Sequence, residues 1–206
     1  PGAAPCVVEI DDTRFGFIVC EDVWYVDPAR QAQAAGAEYI VVANGSPYHT
    51  GQHALRRSQV AARARDLSLP VIYVNRVGGQ DELVFDGASF AVDAAGDVVQ
   101  QLPAWHETVA LMTVEEGRVK PVRGTLGTRL EEHVYAALVT GVRDYVGKNR
   151  FPGVLLGLSG GVDSALTLAV AVDALGPKRV RAVMLPSRYN AAISLEDARA
   201  MAGILG

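Results

Sequence analysis

The segment Gly157–Ser164, with the sequence GLSGGVDS, lies between a short apolar run and an Ala- and Leu-rich pattern of helical spacing. We expect the apolar run to form a buried strand and the pattern to form a helix. Backbone N–H groups and the helix dipole attract an anion at such a helix start. Gly160 and Gly161 let the backbone approach a ligand closely, and Ser159 and Ser164 add hydroxyl donors. The segment therefore predicts a phosphate-binding loop.

Other interpretations of this loop differ in how well they fit. A Walker A loop requires G-x-x-x-x-G-K-[ST], and no Lys follows these glycines. The run GLSGG also fits the G-x-S-x-G nucleophile elbow, with Ser159 as nucleophile. In that scheme a His follows the Ser, whereas all four histidines precede it: His49, His53, His106 and His133. The elbow also leaves Asp163 and Ser164 unexplained, and an ordinary glycine-rich turn is the third alternative.

Strand and helix patterns alternate along the chain, which predicts an α/β architecture. We expect strands at residues 15–19, 39–43, 71–74, 83–93, 98–102, 153–158 and 179–185. We expect helices at residues 52–68, 129–149, 164–175 and 195–205. The segment 153–185 then forms a βαβ unit. In the 52–68 helix we expect Leu55 and Val60 on the buried side and the arginines, including Arg56 and Arg57, on a solvated face.

Cys20 ends the predicted strand at residues 15–19 and is followed at once by Glu21 and Asp22. A thiol in this place can act as a nucleophile, although a buried Cys is often only a small apolar residue. The two carboxylates disfavour a neighbouring thiolate, so a nucleophilic Cys20 needs a nearby cation and a general base. The first Lys is Lys120, so we expect both groups to come from outside this sequence.

The composition argues against several classes of partner. The chain has 206 residues and a formal net charge of -4, and 50% of its residues are hydrophobic. It contains no long basic run, which argues against binding of nucleic acid or of an anionic membrane surface. Its apolar runs are shorter than the roughly 20 residues of a membrane-spanning helix. Cys6 and Cys20 form no disulfide framework, so we expect a reducing cytoplasm.

Three segments carry a resemblance to a known family. Residues 16–24, 44–49 and 73–87 resemble the glutaminase domain of the glutamine-dependent NAD synthetases, which belongs to the nitrilase family. The run from Ser159 to Ser164 resembles the pyrophosphate loop of the ATP pyrophosphatases. The resemblance implies part of a nitrilase-like α-β-β-α sandwich followed by the start of a doubly wound parallel-sheet ATP pyrophosphatase domain. We place the first domain at residues 1–120, a linker at 121–129 and the second domain at 130–206.

The resemblance implies roles for four residues of the first domain. The family's glutaminase uses a Glu base, a Lys and a Cys nucleophile, of which only the nucleophile matches here, at Cys20. Its thiolate attacks the side-chain amide of glutamine, forms a thioester and releases ammonia. Glu21 and Ser46 match positions near the polar end of the bound glutamine. Gln52 stands where the family usually has Lys, so it is a weaker candidate contact.

For the second domain, the resemblance implies that ATP and Mg2+ activate deamido-NAD by adenylation and that ammonia displaces AMP. This reaction is the last step of NAD biosynthesis and makes the enzyme an ATP-dependent carbon–nitrogen ligase. The resemblance also implies a cytoplasmic homo-oligomer, with Mg2+ at Asp163 and a mobile loop near ATP at residues 186–190. The implied ATP contacts are Gly157, Leu158, Ser159, Gly160, Gly161, Val162, Asp163, Ser164 and Leu185.

Two alternatives to this function stay open. The first is a nitrilase-like amidase fused to an ATP pyrophosphatase domain that acts on another acceptor, for example one that thiolates RNA. The second concerns the sequence itself, which we expect to be a fragment cut at both ends. Without the Glu and Lys of the glutaminase, such a fragment would act only as a binding or scaffolding piece.

Overall fold

The computed structural model describes residues 4–122, 124, 126–127, 129–186 and 191–206. The chain divides into two compact units. The first consists of Pro1–Gly78 and Phe85–Leu130, and the second of Gly79–Val84 and Glu131–Gly206.

The first unit is built on a six-stranded sheet. Its strands, in spatial order, are β1 (Cys6–Ile10), β2 (Thr13–Val19), β3 (Tyr39–Asn44), β4 (Val71–Asn75), β7 (Phe90–Val92) and β8 (Val98–Gln101). The central strands β2, β3 and β4 run parallel to one another, and the outer neighbours β1, β7 and β8 pair antiparallel. The predicted strands at 15–19, 39–43, 71–74 and 98–102 are confirmed.

Two helices, α1 (Val26–Ala34) and α2 (Gln52–Leu67), pack on one face of this sheet. Their shared core contains Ala29 and Ala32 from α1 and Val60 and Ala64 from α2, packed on alternate residues of the strands. Gly16 of β2 lets α1 pack close to the sheet, because a Cβ at this position would lie 2.8 Å from the Cβ of Ala32 in α1. A larger side chain would therefore push α1 away from the sheet.

The opposite face of the sheet carries a smaller apolar cluster. Tyr39 and Ala91 are buried there, together with Val119. Val119 belongs to a short hairpin of β9 (Val114–Glu115) and β10 (Arg118–Val119). The sequence patterns did not predict this hairpin or α1.

The predicted strand at 83–93 is wrong as one continuous element. It consists of β6 (Leu83–Asp86) and β7, separated by residues 87–89, of which Gly87 and Ala88 have positive φ. β6 pairs with β5 (Val77–Gln80) in a separate two-stranded hairpin, whereas β7 joins the large sheet. The chain turns at Gly87, where a left-handed conformation costs a glycine little. The turn places Asp86 at the end of the hairpin.

The second unit contains the predicted βαβ segment. β11 (Val154–Gly157) and β12 (Val180–Val183) pair in parallel, and α4 (Val162–Leu175) connects them. α3 (Leu130–Lys148) precedes the segment and α5 (Ala192–Leu205) follows it. Leu158, Leu168 and Ala198 form the buried core. A 2.6 Å hydrogen bond from Tyr135 of α3 to Asp173 of α4 raises the pKa of Tyr135 to about 12.

The residues 79–84 pack on α3 within the second unit. The N–H of Gly79 donates to Oδ2 of Asp144 at 2.7 Å, and Nζ of Lys148 donates to the carbonyl of Gly79. Burial opposes ionisation of Asp144, but the Gly79 hydrogen bond and the neighbouring Arg143 and Lys148 outweigh it and lower its pKa. Charged partners thus anchor this tip of the hairpin to α3.

No helix among the described residues is long and apolar enough to cross a membrane.

We predict that Gly16→Ala lowers the free energy of unfolding by about 1–3 kcal/mol, because the added methyl group overpacks the contact between β2 and α1. Gly147→Ala is the matched control. Gly147 lies exposed in the last turn of α3, and a Cβ there has no neighbour within 4 Å. This change should alter the free energy of unfolding by no more than about 0.5 kcal/mol. Urea unfolding of both variants tests the pair, and a neutral Gly16→Ala would contradict the packing described here.

Candidate functional sites

Cys20 lies where β2 ends and a short 3-10 helix, Cys20–Trp24, begins. Its φ is 51°, which is a strained left-handed conformation for a residue other than Gly. Oδ2 of Asp22 accepts the N–H of Val19 at 2.9 Å and so closes the turn across Cys20. The thiol is half-buried. A sharp, strained turn at the carboxyl end of a strand holds a nucleophilic side chain up from the sheet.

The parallel pairing of β2, β3 and β4 brings three strand ends to the same edge of the sheet. Val19 pairs with Ala43, and Asn44 pairs with Asn75. The residues that directly follow these strands therefore lie close to the row that contains Cys20. The short helix beginning at Cys20 packs against β3 and α2. Ser46 follows β3 by two residues and therefore lies at this edge, and its role in glutamine binding stays a prediction.

A buried polar cluster lies at this edge and consists of Ser46, Gln52, Arg56, Asn75 and Asp86. The Arg56 guanidinium donates to Oγ of Ser46 at 3.0 Å and to Oδ1 of Asp86 at 2.6 Å. It also donates to the carbonyls of Ser46 and Pro47, at 2.7 and 2.8 Å. The Asn75 side chain accepts the N–H of Ser46 at 2.9 Å and donates to the carbonyl of Gly87 at 3.1 Å. The cluster thus joins the ends of β3, β4 and β6 to α2.

Tyr73 of β4 is 2% exposed and lies in the apolar core on the face of the sheet that α1 and α2 cover. Burial raises the pKa of Tyr73, whereas the charge of Arg56 and a hydrogen bond with Ser46 oppose the rise. Cys20 and Asp86 also act on the Tyr73 hydroxyl through their charges.

The structure brings some of the predicted glutamine contacts together. Nε2 of Gln52 donates to Oγ of Ser46 at 3.3 Å, so these two side chains are in contact. Oε1 of Gln52 is buried without a hydrogen-bond partner, which leaves one polar atom for a ligand. Glu21 lies exposed at the second position of the short 3-10 helix. Its role in binding stays a prediction.

The loop from Gly157 to Ser164 joins β11 to α4, as its sequence predicts. The hydroxyls of Ser159 and Ser164 are 3.0 Å apart, and the N–H of Gly161 donates to Oγ of Ser159 at 3.3 Å. Oγ of Ser164 donates to the carbonyl of Gly161 at 2.9 Å. Two hydroxyls and the unpaired N–H groups of the first helical turn therefore lie together at the start of α4. This arrangement suits the oxygens of a phosphate.

Gly160 fixes the shape of this loop. Its φ is +84°, and a Cβ would lie 2.1 Å from the carbonyl oxygen of Ser194 in the first turn of α5. Gly161, by contrast, has φ −86°, and a Cβ there would meet only Oγ of Ser159, at 3.5 Å. Only Gly160 is therefore restricted to glycine by both backbone conformation and space.

The remaining predicted nucleotide contacts are placed as follows. Asp163 and Val162 lie in the exposed first turn of α4, and Leu158 is buried below the loop. Leu185 lies two residues beyond β12 and is 81% exposed. Four residues of the predicted mobile loop, 187–190, lie outside the described residues. Asp163 and Ser164 are neighbours in this turn, and carboxylate and hydroxyl oxygens are ligands that Mg2+ accepts, so the chemistry of these residues is compatible with the metal.

Comparison with known proteins assigns the first part of the chain to a family. The carbon-nitrogen hydrolase family model matches residues 1–124. The chain belongs to the carbon-nitrogen hydrolase family. A second family model, NAD synthase, matches residues 134–206. The two models cover the parts of the chain that hold Cys20 and the Gly157–Ser164 loop, respectively.

Named relatives match almost the whole chain. It is 47% identical over 203 residues to a glutamine-dependent NAD(+) synthetase of Rhodobacter capsulatus, which covers 97% of this chain and 37% of that protein. It is 39% identical over 208 residues to the enzyme of the same name from Acinetobacter baylyi, with 100% of this chain and 38% of that protein covered. The chain thus spans less than two fifths of these relatives.

Solved structures agree with these matches. The glutamine-dependent NAD+ synthetase of Acinetobacter baumannii, solved in complex with ADP, superposes with a TM-score of 0.92 at 40% identity. That comparison covers 100% of this chain and 39% of that one. The enzyme of Cytophaga hutchinsonii, at 18% identity and a TM-score of 0.73, shows the shared fold alone. The expected α/β fold of nitrilase and NAD synthetase type is therefore confirmed.

Sequence reasoning missed the buried arginine. Arg56 is 1% exposed, so the prediction that it belongs to a solvated face is wrong, whereas Leu55, predicted to be buried, is 42% exposed. The signal was present in the spacing, because Gln52 and Arg56 continue the four-residue series of Val60 and Ala64 toward the start of α2. Asn75 was detectable as the residue that closes β4.

We predict that Gly160→Ala lowers the free energy of unfolding of the second unit by about 1–3 kcal/mol, because the methyl group strains the backbone and strikes the Ser194 carbonyl. Gly161→Ala should be nearly neutral, since its conformation and surroundings accept a methyl group. Urea unfolding followed by circular dichroism compares the two variants. Equal losses at both glycines would contradict the geometry of this loop.

Proposed function

We propose that the full-length protein is a glutamine-hydrolysing NAD synthetase. It releases ammonia from glutamine at Cys20 and uses it to amidate deamido-NAD that ATP has activated, with release of AMP and pyrophosphate. The observation that carries the proposal is the presence of both candidate sites in one chain. A strained cysteine ends a strand of the carbon-nitrogen hydrolase part, and a serine- and glycine-rich loop opens a helix of the NAD synthase part.

The glutaminase half-reaction follows from the position of Cys20. The sulfur attacks the side-chain carbonyl carbon of glutamine, the carbon–sulfur bond forms, and the carbon–nitrogen bond then breaks. The thiol proton passes through a general base to the leaving nitrogen, and water later cleaves the thioester to give glutamate. In the family the base is a Glu and the cation a Lys, and neither matches a residue of this chain. The strained turn at Cys20 holds the sulfur in place for this attack.

The synthetase half-reaction relies on the Gly157–Ser164 loop. The hydroxyls of Ser159 and Ser164 and the first-turn N–H groups of α4 bind phosphate oxygens and keep the leaving pyrophosphate in position. Asp163 would hold Mg2+, which neutralises charge on the phosphates when it is bound. Leu185, exposed after β12, would contact the adenosine part of ATP.

Three further statements complete the proposal and rest on the resemblance. The first domain occupies residues 1–120, the linker 121–129 and the second domain 130–206. The enzyme is a homo-oligomer, which light scattering of the purified protein tests. It works in the cytoplasm, which fractionation of cells tests.

We predict that Cys20→Ala abolishes NAD formation from glutamine and retains NAD formation from added ammonia, because only the glutaminase step needs the sulfur. The measurement follows NAD, AMP and pyrophosphate in the full-length protein supplied with ATP, Mg2+, deamido-NAD and either nitrogen source. Normal use of glutamine by the variant would reject Cys20 as the nucleophile. Cleavage of ATP to AMP without deamido-NAD would instead favour a different acceptor.

We predict that Asp163→Asn raises the Mg2+ concentration needed for half-maximal activity with ammonia at least about tenfold, because an amide is a weaker ligand of Mg2+ than a carboxylate. Asp173→Asn serves as the control, since Asp173 lies on the same helix and contacts Tyr135. An unchanged Mg2+ requirement in Asp163→Asn would remove Asp163 from the metal site.

A further inference from the structure

The Arg56 guanidinium is the largest fully buried side chain of the described residues. It makes hydrogen bonds to a carboxylate, a hydroxyl and two carbonyls, which come from Asp86, Ser46 and Pro47. The side chains of the Arg56–Asp86 ion pair are only 1% and 3% exposed. Both charges are therefore paired with good geometry, away from water.

Stability alone does not account for this pair. Removing two charges from water costs several kcal/mol for each ion, and an apolar pair of similar volume is often as stable or more stable. A planar, charged fork differs from an apolar side chain in one respect, because it fixes the positions and orientations of its acceptors. The four acceptors of Arg56 therefore indicate which part of the molecule must be held in place.

That part is Ser46. Its hydroxyl accepts hydrogen bonds from Arg56 and Gln52, and its carbonyl accepts one from Arg56. Its N–H donates to the side-chain oxygen of Asn75. Every polar atom of Ser46 is thus held by a buried side chain. Its hydroxyl accepts two hydrogen bonds, and Ser46 follows β3, the strand that pairs in parallel with β2, which ends just before Cys20. Three separate side chains fix one serine at the strand-end edge that carries the candidate nucleophile.

We propose that Arg56 is a positioning residue of the glutaminase site, which holds Ser46 and the 46–47 backbone in register with Cys20, and that Asp86 orients Arg56 for this task. The proposal rests on the glutaminase half of the proposed function. Arg56 acts through Ser46 and does not itself touch the substrate. The role requires the guanidinium fork, because the single ammonium of a Lys cannot reach the same four acceptors in one plane.

The test uses the full-length protein and measures glutamate release from glutamine beside NAD formation from added ammonia. We expect Arg56→Lys to lower kcat/KM for glutamine by roughly tenfold to a hundredfold, the size of effect that a displacement near 1 Å produces. The ammonia-driven reaction should stay unchanged. Equal losses in both reactions would show a general structural role and would overturn the proposal, as would an unchanged kcat/KM for glutamine.

Arg57→Lys is the matched control. Arg57 is the next residue of α2, and its guanidinium donates to Oε1 of Gln101 at 2.6 Å instead of to the Ser46 loop. We expect no change in glutamine kinetics. If Arg56→Lys fails to fold, Asp86→Asn replaces it, since the amide keeps the size and the acceptor oxygen and removes only the charge. It should lower kcat/KM for glutamine in the same direction, and normal glutamine kinetics in Asp86→Asn would overturn the proposal.

A double variant separates positioning through Ser46 from other effects. If Arg56 acts through Ser46, adding Arg56→Lys to Ser46→Ala should change kcat/KM by no more than about twofold, because coupled residues are not additive. Full additivity of the two losses would overturn the proposal.

The outcomes also separate this proposal from the proposed function. Glutamate release without NAD formation would reject the synthetase function and leave the Arg56 proposal to be decided by the same variants. A second measurement labels Cys20 with a diazoketone analogue of glutamine and, for comparison, with iodoacetamide, which does not resemble glutamine. Absence of glutamate release, together with no preference of Cys20 for the glutamine analogue over iodoacetamide, would overturn both.

Discussion

The parallel pairing of β2, β3 and β4 is the constraint on which the first site depends. Because the three strands run in the same direction, the residues that follow them emerge at one edge of the sheet. Cys20, Ser46 and Asn75 come from segments 26 and 29 residues apart in sequence, and only the register of the sheet brings them into one row. The close packing of α1 on Gly16 holds that register from one face. The site is therefore a consequence of strand direction more than of any local motif.

The buried polar cluster shows how such an edge gains precision. Loops after strands are otherwise the more mobile parts of a fold, since few buried apolar contacts hold them. Here a charged fork from α2 and an amide from β4 replace apolar contacts and bind the loop through its polar atoms. The charge of Arg56 needs the carboxylate of Asp86, because an unpaired guanidinium at this depth would be strongly destabilising. The turn at Gly87 supplies that carboxylate by ending β6 next to the sheet.

Much of this could be predicted from sequence, and the failures have physical reasons. Short apolar runs predicted the parallel strands, and the glycine–serine loop predicted the βαβ unit, since both depend on local patterns. The prediction of the buried and exposed sides of α2 was wrong because Arg was assumed to face water, whereas a paired Arg is compatible with full burial. The break after Asp86 was missed because the run 83–93 is apolar on both sides of the turn. The pairing of charged side chains depends on contacts between segments far apart in the chain, and the periodicity of apolar residues gives no information on such contacts.

The turns at the two candidate sites differ in their left-handed residue, which is Cys20 after β2 and Gly160 after β11. The difference follows from the type of group, side chain or backbone, that each proposed site offers to its ligand. In the proposed glutaminase site the group that meets the ligand is a side chain, so the turn residue at the end of β2 is Cys even though a left-handed backbone strains it by about 1–2 kcal/mol. In the proposed nucleotide site those groups are backbone N–H groups, so the left-handed position after β11 carries Gly160, which has no Cβ to strike Ser194. A nucleophile therefore requires strain to be tolerated at its own residue, whereas an anion-binding loop removes the strain by removing the side chain. The hydrogen bond from the N–H of Val19 to Asp22 stabilises the first turn across the strained Cys20. The hydrogen bond between the hydroxyls of Ser159 and Ser164 stabilises the second turn and leaves its backbone N–H groups accessible.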